Sequence, residues 1–377
     1  MKRITAILAV MLGLGLSAQA KLDPSNLISD GMVMQQNTEA RIWGTATPGA
    51  QITVTTSWNG ASYLTNADGA GCWNIYAKTP EASYKAYSMT IKGDGETIRI
   101  NDILIGEVWF ASGQSNMQMP MMGFYNCPVE NAAEYISAPA AKEKIRMFNV
   151  PAIQSYKPLT EVEGEWKGAE SETVPYMSAT AYFFARELNE VMDIPVGIIN
   201  CAYGGARIES WTPKEILETY PDEDLRRETI ESMIHYHRPY LAYNAMFNPT
   251  KGYTIKGFIW YQGCSNTGKH EQFCERMTNM VNHWRECWGD KDAKLPFYMV
   301  ELAPYRNKPQ TAVPYFALLR QAQHETAKSI PNCGCIVTND LVRSYEQDNI
   351  HPAKKKEVGE RLAFMALNRD SGYSKIA

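Results

Sequence analysis

The sequence predicts an α/β protein, with a parallel sheet covered by helices on both faces and a small β-sandwich in front of it. Residues 24–102 contain short runs in which apolar and polar residues alternate, separated by turn signals such as Asn59-Gly60. This pattern is typical of strands with one buried face. After Asn101 the apolar runs become nearly continuous and alternate with stretches of helical periodicity. That alternation favours buried parallel strands joined by helices.

The individual elements follow from these local patterns. Strands of the sandwich are expected at residues 40–43, 51–56, 73–77, 88–92 and 97–100. Strands of the parallel sheet are expected at 103–111, 194–201, 255–261, 296–302 and 334–338, and helices at 179–192, 271–288, 311–328 and 354–368. In a sheet of this kind, ligand sites form at the carboxyl ends of the strands.

The first twenty residues are predicted to be a secretory signal peptide. Lys2 and Arg3 give a basic start, residues 4–16 are apolar, and residues 18–20 match a small-x-small cleavage site. The apolar run is short for a bilayer span, which argues against a membrane anchor. We therefore expect a periplasmic or secreted protein that begins at Lys21 and has no membrane span. Its parts are the signal peptide 1–20, a β-sandwich domain 21–102 and an α/β domain 103–377.

Composition narrows the classes of partner. The net charge is -4 and no cluster of lysines and arginines stands out, so a nucleic-acid partner is not expected. The eight cysteines match no zinc-binding spacing, and the pair His235 and His237 lacks a third ligand in the sequence. We therefore expect no metal or other cofactor. Disulfides are permitted in an exported protein but are not required by a core of this size. No feature of the sequence indicates an oligomeric state.

Two loops that follow predicted strands could supply a nucleophile and a binding site for a developing negative charge. In the first, residues 113–117, Ser115 lies just after a buried strand. It could be a nucleophile or an ordinary helix cap, and the loop lacks the last glycine of a G-x-S-x-G elbow. In the second loop, Gly204 and Gly205 could aim a backbone N–H at an oxyanion, or could simply form a tight turn.

Two further loops could complete such a site. The third, residues 260–266, offers the side-chain amides of Gln262 and Asn266, which could donate to an oxyanion or satisfy their own loop. The fourth places Asp348 three residues before His351. A histidine could take the proton of a serine, and an acid beside it could orient the ring and stabilise its cation.

Taken in order, these loops resemble the conserved blocks of the SGNH hydrolases, and more narrowly the bacterial sialate O-acetylesterase family of carbohydrate esterases. The resemblance runs from about residue 27 to 367. It is carried by residues 30–35, 106–117, 243–246, 256–263 and 350–352. Two positions depart from the common pattern of that family: Cys264 stands where many members have Glu, and Ala206 where Thr is common.

The resemblance implies a flavodoxin-like three-layer fold and a serine esterase. Its triad falls on Ser115, Asp348 and His351, with Asp340 as the alternative acid. The implied oxyanion donors are the backbone N–H groups of Ser115 and Gly205 and a side-chain amide, for which Gln262 is favoured over Asn266.

The expected reaction is the removal of O-acetyl groups from a carbohydrate, most simply sialic acid, without a metal or cofactor. Acetylated xylan or another glycan is the alternative substrate. A carbohydrate-binding protein without activity and a glycoside hydrolase are the rival classes. The intact Ser115 and His351 argue against the first rival. A glycoside hydrolase needs two facing carboxylates, and the sequence does not reveal such a pair.

Overall fold

The protein is represented by a computed structural model that describes residues 21–137, 144–306 and 313–370. The predicted signal peptide lies outside the described residues. The strands are β1 Asp23–Pro24, β2 Val33–Gln35, β3 Glu39–Thr45, β4 Gln51–Thr56, β5 Ser62–Asn66, β6 Cys72–Lys78, β7 Ser83–Gly93, β8 Glu96–Gly113, β9 Ile145–Asn149, β10 Trp166–Gly168, β11 Val196–Ala202, β12 Gly257–Tyr261, β13 Phe297–Val300 and β14 Cys333–Ile336. The helices are α1 Ser115–Gln118, α2 Ala132–Ser137, α3 Ala179–Met192, α4 Lys214–Leu217, α5 Arg227–Ser232, α6 His270–Cys287, α7 Tyr315–Ser329 and α8 Lys355–Asp370.

A parallel sheet forms the centre of the molecule. Its strand order is β9-β11-β8-β12-β13-β14, and β10 is added antiparallel to β9 at one edge. Every residue of β11, β12 and β13 is buried, as expected for strands covered on both faces. Ser112 at the end of β8 pairs with Cys201 of β11 and Trp260 of β12. The carboxyl ends of these three strands therefore lie side by side.

Helices cover both faces of this sheet, which confirms the α/β prediction. Because successive strand residues point to opposite faces, Trp109 of β8 packs in one apolar cluster and Phe110 in the other. The Trp109 cluster contains residues of α3 and α8, such as Phe184. The Phe110 cluster contains residues of α6 and α7, such as Trp284.

The N-terminal part is built from two smaller arrays of strands. One is a three-stranded antiparallel sheet, β1-β3-β6. The other joins β2, β4, β5 and β7 to the first half of β8. Both arrays bury alternate residues, including Ile42 and Val54, in one shared apolar cluster. β8 continues from this part into the central sheet, so one strand runs through the expected boundary at residue 102.

The remaining expectations for single elements agree with the structure to within a few residues at each end. The expected strands at 97–100 and 103–111 are parts of one strand, β8. The elements that were not predicted are β1, β2, β5, β9 and β10 and the short helices α1, α2, α4 and α5. Among the described residues, none of the helices is both long and apolar enough to cross a membrane.

Candidate active site

The four loops singled out in the sequence meet at the carboxyl edge of the central sheet. Ser115 follows β8, Gly205 follows β11 and Gln262 follows β12, and these three strands are neighbours in the order β11-β8-β12. His351 lies in the loop between β14 and α8. In an open α/β sheet, this edge is where ligands bind.

A tight backbone contact holds the turn that carries Ser115. Gly113 has a φ of 131°, and a Cβ there would lie 2.3 Å from the carbonyl oxygen of Tyr261. The side chain of Gln114 then fastens the turn to the next loop, because its Oε1 accepts from the N–H of Gly263 at 2.9 Å. Glycine is thus required at position 113 because the positive φ disfavours other residues and because a Cβ would clash with the backbone of Tyr261. The result is that Ser115 begins α1 at a fixed position beside β12.

Ser115 and His351 form a hydrogen-bonded pair. Nε2 of His351 lies 2.8 Å from Oγ of Ser115, and the ring of Phe124 packs edge-on against the imidazole at 5.3 Å between centroids. Burial, and secondarily the positive charge of Lys355, lowers the pKa of His351 to about 4. The imidazole is therefore neutral at neutral pH. A neutral imidazole at this distance can accept the hydroxyl proton.

Neither acid considered from the sequence is bonded to the His351 ring. The carboxylate of Asp348 receives two hydrogen bonds from Arg306, at 2.9 and 2.8 Å. That of Asp340 receives two from Arg361, at 2.8 and 2.6 Å, and these hold its pKa at about 2. Here the structure departs from the expected Asp348–His351 contact. The physical reason is the bidentate match between a guanidinium and a carboxylate, which competes with a single bond to an imidazole.

The second nitrogen of His351 faces a residue that the sequence did not reveal. Nδ1 lies 3.9 Å from Sγ of Cys127, and this thiol is 3.5 Å from Oδ1 of Asn349. The same Asn349 oxygen accepts the backbone N–H of His351 at 2.9 Å. Cys127 belongs to no motif and lies 224 positions from His351, so no local signal could have indicated it.

Two backbone N–H groups at Ser115 and in the adjoining glycine pair are available for a ligand. Gly205 has a φ of 77°, and a Cβ there would lie 2.4 Å from the ring of Tyr236. A Cβ on Gly204 would lie 3.7 Å from Cβ of Ser115, so the glycine pair adjoins the serine. Within the described residues, the N–H groups of Ser115 and Gly205 donate to no protein acceptor, whereas that of Gly204 donates to Gln118. The free pair can serve an oxyanion.

The two side-chain amides of the third loop point elsewhere. Nε2 of Gln262 donates to the carbonyl of Ala206 at 3.1 Å and to Oδ1 of Asn266 at 2.7 Å. Nδ2 of Asn266 donates to the carboxylate of Glu209, and its Oδ1 also accepts the N–H of Ile208. Their exposed fractions are 0% for Gln262 and 1% for Asn266. Nε2 of Gln262 thus has two acceptors inside the protein, which argues against it as the oxyanion donor, whereas Nδ2 of Asn266 meets a single carboxylate. The expectation that one of these amides donates to the oxyanion therefore stays a prediction.

A buried group of charges stands behind these amides. Glu209 and Arg276 are bonded to each other in the interior, and Arg276 also binds Asp222 and Glu223. Burial of a carboxylate is tolerated only with such partners. The group fixes the second loop against the third and so fixes the turn that holds Gly205.

The described residues contain no group of three or more His, Cys, Asp or Glu side chains that could hold a metal ion. The eight cysteines all lie in the described ranges, and each is free. Burial raises the pKa of the Cys264 thiol to about 12, so this group is protonated at neutral pH.

Comparison with known proteins places this site in a family. A family model described as "Carbohydrate esterase, sialic acid-specific acetylesterase" matches residues 105–368. The chain belongs to this family of carbohydrate esterases. It is thus a carboxylic ester hydrolase, as the sequence predicted, and the family resemblance inferred from the motifs is confirmed.

Individual members of the carbohydrate esterase family are similar over most of the chain. The sialate O-acetylesterase of Mus musculus is 28% identical over 391 residues, covering 90% of this chain and 71% of the mouse protein. That of Homo sapiens is 28% identical over 368 residues, covering 90% and 69%. A crystal structure of a carbohydrate acetylesterase from Xanthomonas citri superimposes with a TM-score of 0.82 at 31% identity, covering 93% of this chain and 76% of that one.

Proposed function

We propose that this carbohydrate esterase removes O-acetyl groups from sialic acid, with Ser115 as nucleophile and His351 as general base. The observation that carries the proposal is the 2.8 Å hydrogen bond between Oγ of Ser115 and Nε2 of His351, next to two unused backbone N–H groups. Sialic acid is the substrate named for the mouse and human relatives.

The proposed reaction is acyl transfer through an acetyl-enzyme. Nε2 of His351 takes the hydroxyl proton of Ser115 while Oγ attacks the acetyl carbonyl carbon. The resulting oxyanion accepts hydrogen bonds from the N–H groups of Ser115 and Gly205. The intermediate collapses, and the sugar hydroxyl leaves with the proton from His351. Water then repeats the sequence on the acetyl-enzyme, which releases acetate and restores Ser115.

Asp348 is the proposed third member of the triad because it lies in the same loop as His351. In that role its carboxylate would accept the Nδ1 proton and stabilise the imidazolium. To do so it must turn from Arg306, one of its partners in the structure, to the imidazole. Substitution of Asp348 or of Arg306 therefore tests the assignment of Asp348 as the triad acid.

The experiment that tests the function is a measurement of acetate released from a panel of substrates. Purified protein is incubated with O-acetylated sialic acid, acetylated xylan and an aryl acetate, with the S115A variant as control. We expect acetate to be released from the aryl acetate and from O-acetylated sialic acid, with the highest kcat/KM for the sialic acid ester. A higher kcat/KM for acetylated xylan would contradict sialic acid as the substrate but would still support the assignment as an esterase. Absence of release from the whole panel would remove the enzyme assignment in favour of carbohydrate binding alone.

We also propose that residues 1–20 direct export and that residues 21–102 form a small sandwich domain flanking the esterase domain. The basic start and small-x-small site support the first proposal. The two small arrays of strands, in which alternate residues are buried, support the second. The intact mass of protein recovered from the periplasm or medium should correspond to a chain beginning at Lys21. A chain that keeps residues 1–20 in the membrane fraction would support an anchor instead.

A further inference from the structure

Lys355, in the first turn of α8, is a buried cation at the base of the site. Only 1% of the residue is exposed. Its ammonium donates to Oδ1 of Asn116 at 2.7 Å and lies 5.6 Å from the centroid of the Tyr261 ring. Among the described residues no carboxylate lies within ion-pair distance of it. Lysine is rarely buried without such a partner, so the position calls for an explanation.

The acceptor of Lys355 connects the two residues proposed to react. Asn116 directly follows Ser115, and its Nδ2 donates to the carbonyl of Ile350 at 3.0 Å. Ile350 directly precedes His351. One amide therefore spans the nucleophile turn and the histidine loop, and its remaining polar atom is held by the ammonium. Tyr261, under the same ammonium, ends the strand before the third loop.

Stability alone does not account for this arrangement. Moving an ammonium group out of water costs several kcal/mol, and replacing buried charges by well-packed apolar groups is often neutral or stabilising. An apolar side chain in place of Lys355 could pack against Tyr261 equally well. What it could not do is donate to Oδ1 of Asn116, or place a positive charge on the amide that bonds the histidine loop.

We infer that Lys355 is a positioning residue for the proposed esterase reaction: through Asn116 it holds Ser115 and His351 in register, and it places a positive charge next to the loop that carries His351. The inference rests on the proposed roles of Ser115 and His351. Lys355 itself touches neither the substrate nor the reacting atoms in this scheme.

The charge of Lys355 changes the pKa of His351 in one direction only. A positive charge disfavours the imidazolium, so Lys355 adds to burial in lowering the pKa of His351. Burial lowers the pKa of Lys355 itself to about 7, and the negative charge of the Glu346 carboxylate opposes this lowering. The ammonium is therefore charged in weakly acidic solution, where the protonation of His351 is decided. Cys127 is also the titratable group at Nδ1 of His351, and Phe124 on the ring is uncharged.

The test compares Lys355→Met with Lys356→Met. The first keeps the length and removes the charge and the hydrogen bond. The second removes the same charge from the next residue of α8, which is partly exposed and near Glu360. For Lys355→Met we expect kcat to fall about tenfold to a hundredfold with KM nearly unchanged, because small misplacements of reacting groups are costly. The acid limb of kcat/KM should rise by about one pH unit. The melting temperature should not fall. Lys356→Met should match the wild type in all three.

A second variant distinguishes the effect of the hydrogen-bonded bridge from the effect of the charge. It also keeps the inference testable if Lys355→Met does not fold. Asn116→Ala removes the bridge and leaves the ammonium. It should lower kcat without raising the acid limb. The double variant should lose little more in kcat than either single one, since residues of one hydrogen-bonded unit are not additive. Additive losses would refute the shared role.

The inference is overturned if Lys355→Met keeps the wild-type kcat and acid limb, or if it loses only stability. A titration of the His351 ring by NMR gives the electrostatic result without any turnover. If the wild type releases no acetate from the substrate panel, the proposed function fails. If the wild type is active but the pKa of His351 is unchanged in Lys355→Met, the inference about Lys355 fails while the proposed function stands.

Discussion

Nε2 of His351 lies 2.8 Å from Oγ of Ser115, although the two residues are 236 positions apart in the chain. Ser115 follows the central strand β8, and His351 follows β14 at the edge of the sheet. The pair therefore exists only when the whole parallel sheet and α8 are assembled. Esterase activity and global structure should be lost together in a denaturant titration, unless the loop of His351 opens first.

Ser115→Ala should abolish turnover, with a loss of about a thousandfold or more, because the members of a catalytic unit fail together. Its melting temperature should stay near that of the wild type, since the Ser115 hydroxyl bonds only His351 among the described side chains. Ser112→Ala is the matched control. The Ser112 hydroxyl is buried and donates to the carbonyl of Cys201, so this variant should keep most activity and lose about 1 kcal/mol of stability. Normal turnover in Ser115→Ala would remove it as nucleophile.

The partner of Nδ1 of His351 can be identified by three substitutions. If Asp348 acts as the triad acid, Asp348→Asn should lower kcat by about a hundredfold or more. Asp340→Asn should change it by less than about twofold, since its carboxylate is bound by Arg361 on the surface. Cys127→Ala reports on the thiol that lies at Nδ1 in the structure. A large loss for Cys127→Ala and none for Asp348→Asn would assign the ring orientation to the thiol and Asn349.

The pH dependence of kcat/KM should show a low acid limb. The free enzyme is active when His351 is neutral, and the pKa of this group is lowered to about 4 by burial and by Lys355. Activity should therefore persist from neutral pH down to about pH 5 and fall as the pH approaches 4, where the imidazole becomes protonated. Circular dichroism at each pH separates this loss from acid unfolding. A midpoint near the ordinary histidine value, with the fold intact, would contradict the burial of the ring.

Much of the architecture could be predicted from local patterns. The limits of α3 were predicted to the residue, because its apolar periodicity is clear and Ser178 caps its first turn. β9 was missed. It is five residues long and includes Arg146 and Asn149, so it lacks the continuous apolar pattern of the other parallel strands. Arg146 is accommodated because its guanidinium binds the carbonyl of Gly31 and the carboxylate of Asp102, and neither contact is visible in the sequence.

The site was predictable in its location but not in its contacts. Strand ends followed by glycines and by Ser115 and His351 indicated which loops converge, since parallel strands end at one edge. The directions of the amides of Gln262 and Asn266 depend on Glu209, which is 57 positions from Asn266 in the chain. Lys355 reads in the sequence as an ordinary helix residue. Its burial is decided by how α8 packs on the sheet, which is a tertiary property.

Cys264→Ser should keep most of the esterase activity. Burial raises the pKa of the Cys264 thiol to about 12, and a protonated thiol is a poor nucleophile. Alkylation with iodoacetamide should therefore leave turnover unchanged. Cys72 is exposed and free, so its modification, seen by mass spectrometry, serves as the internal control for the reagent. Rapid inactivation that is blocked by a substrate analogue and absent in Cys264→Ser would show that the thiol takes part in the reaction.

Asn266→Ala should act first on stability. The substitution removes partners from the N–H of Ile208, from Nε2 of Gln262 and from the carboxylate of Glu209. The N–H of Ile208 then has no acceptor, whereas Nε2 of Gln262 keeps the carbonyl of Ala206 and Glu209 keeps Arg276. A buried polar group left unpaired costs about 1–3 kcal/mol, so the midpoint of urea unfolding should fall clearly. Asn279→Ala on α6, which removes one bond to Tyr220 at a partly exposed position, should cost less than about 1 kcal/mol.

An oxyanion donor at position 266 would behave in the opposite way. Its removal would lower kcat by about a hundredfold to a thousandfold with little change in stability. The structure predicts the first result because Nδ2 of Asn266 donates to the carboxylate of Glu209, its Oδ1 accepts from Ile208 and Gln262, and only 1% of the residue is exposed. Some loss of kcat should accompany the loss of stability, since Asn266 supports the loop that holds Gly205. Full stability with a large loss of kcat would mean that Asn266 turns toward Ser115 when the substrate binds.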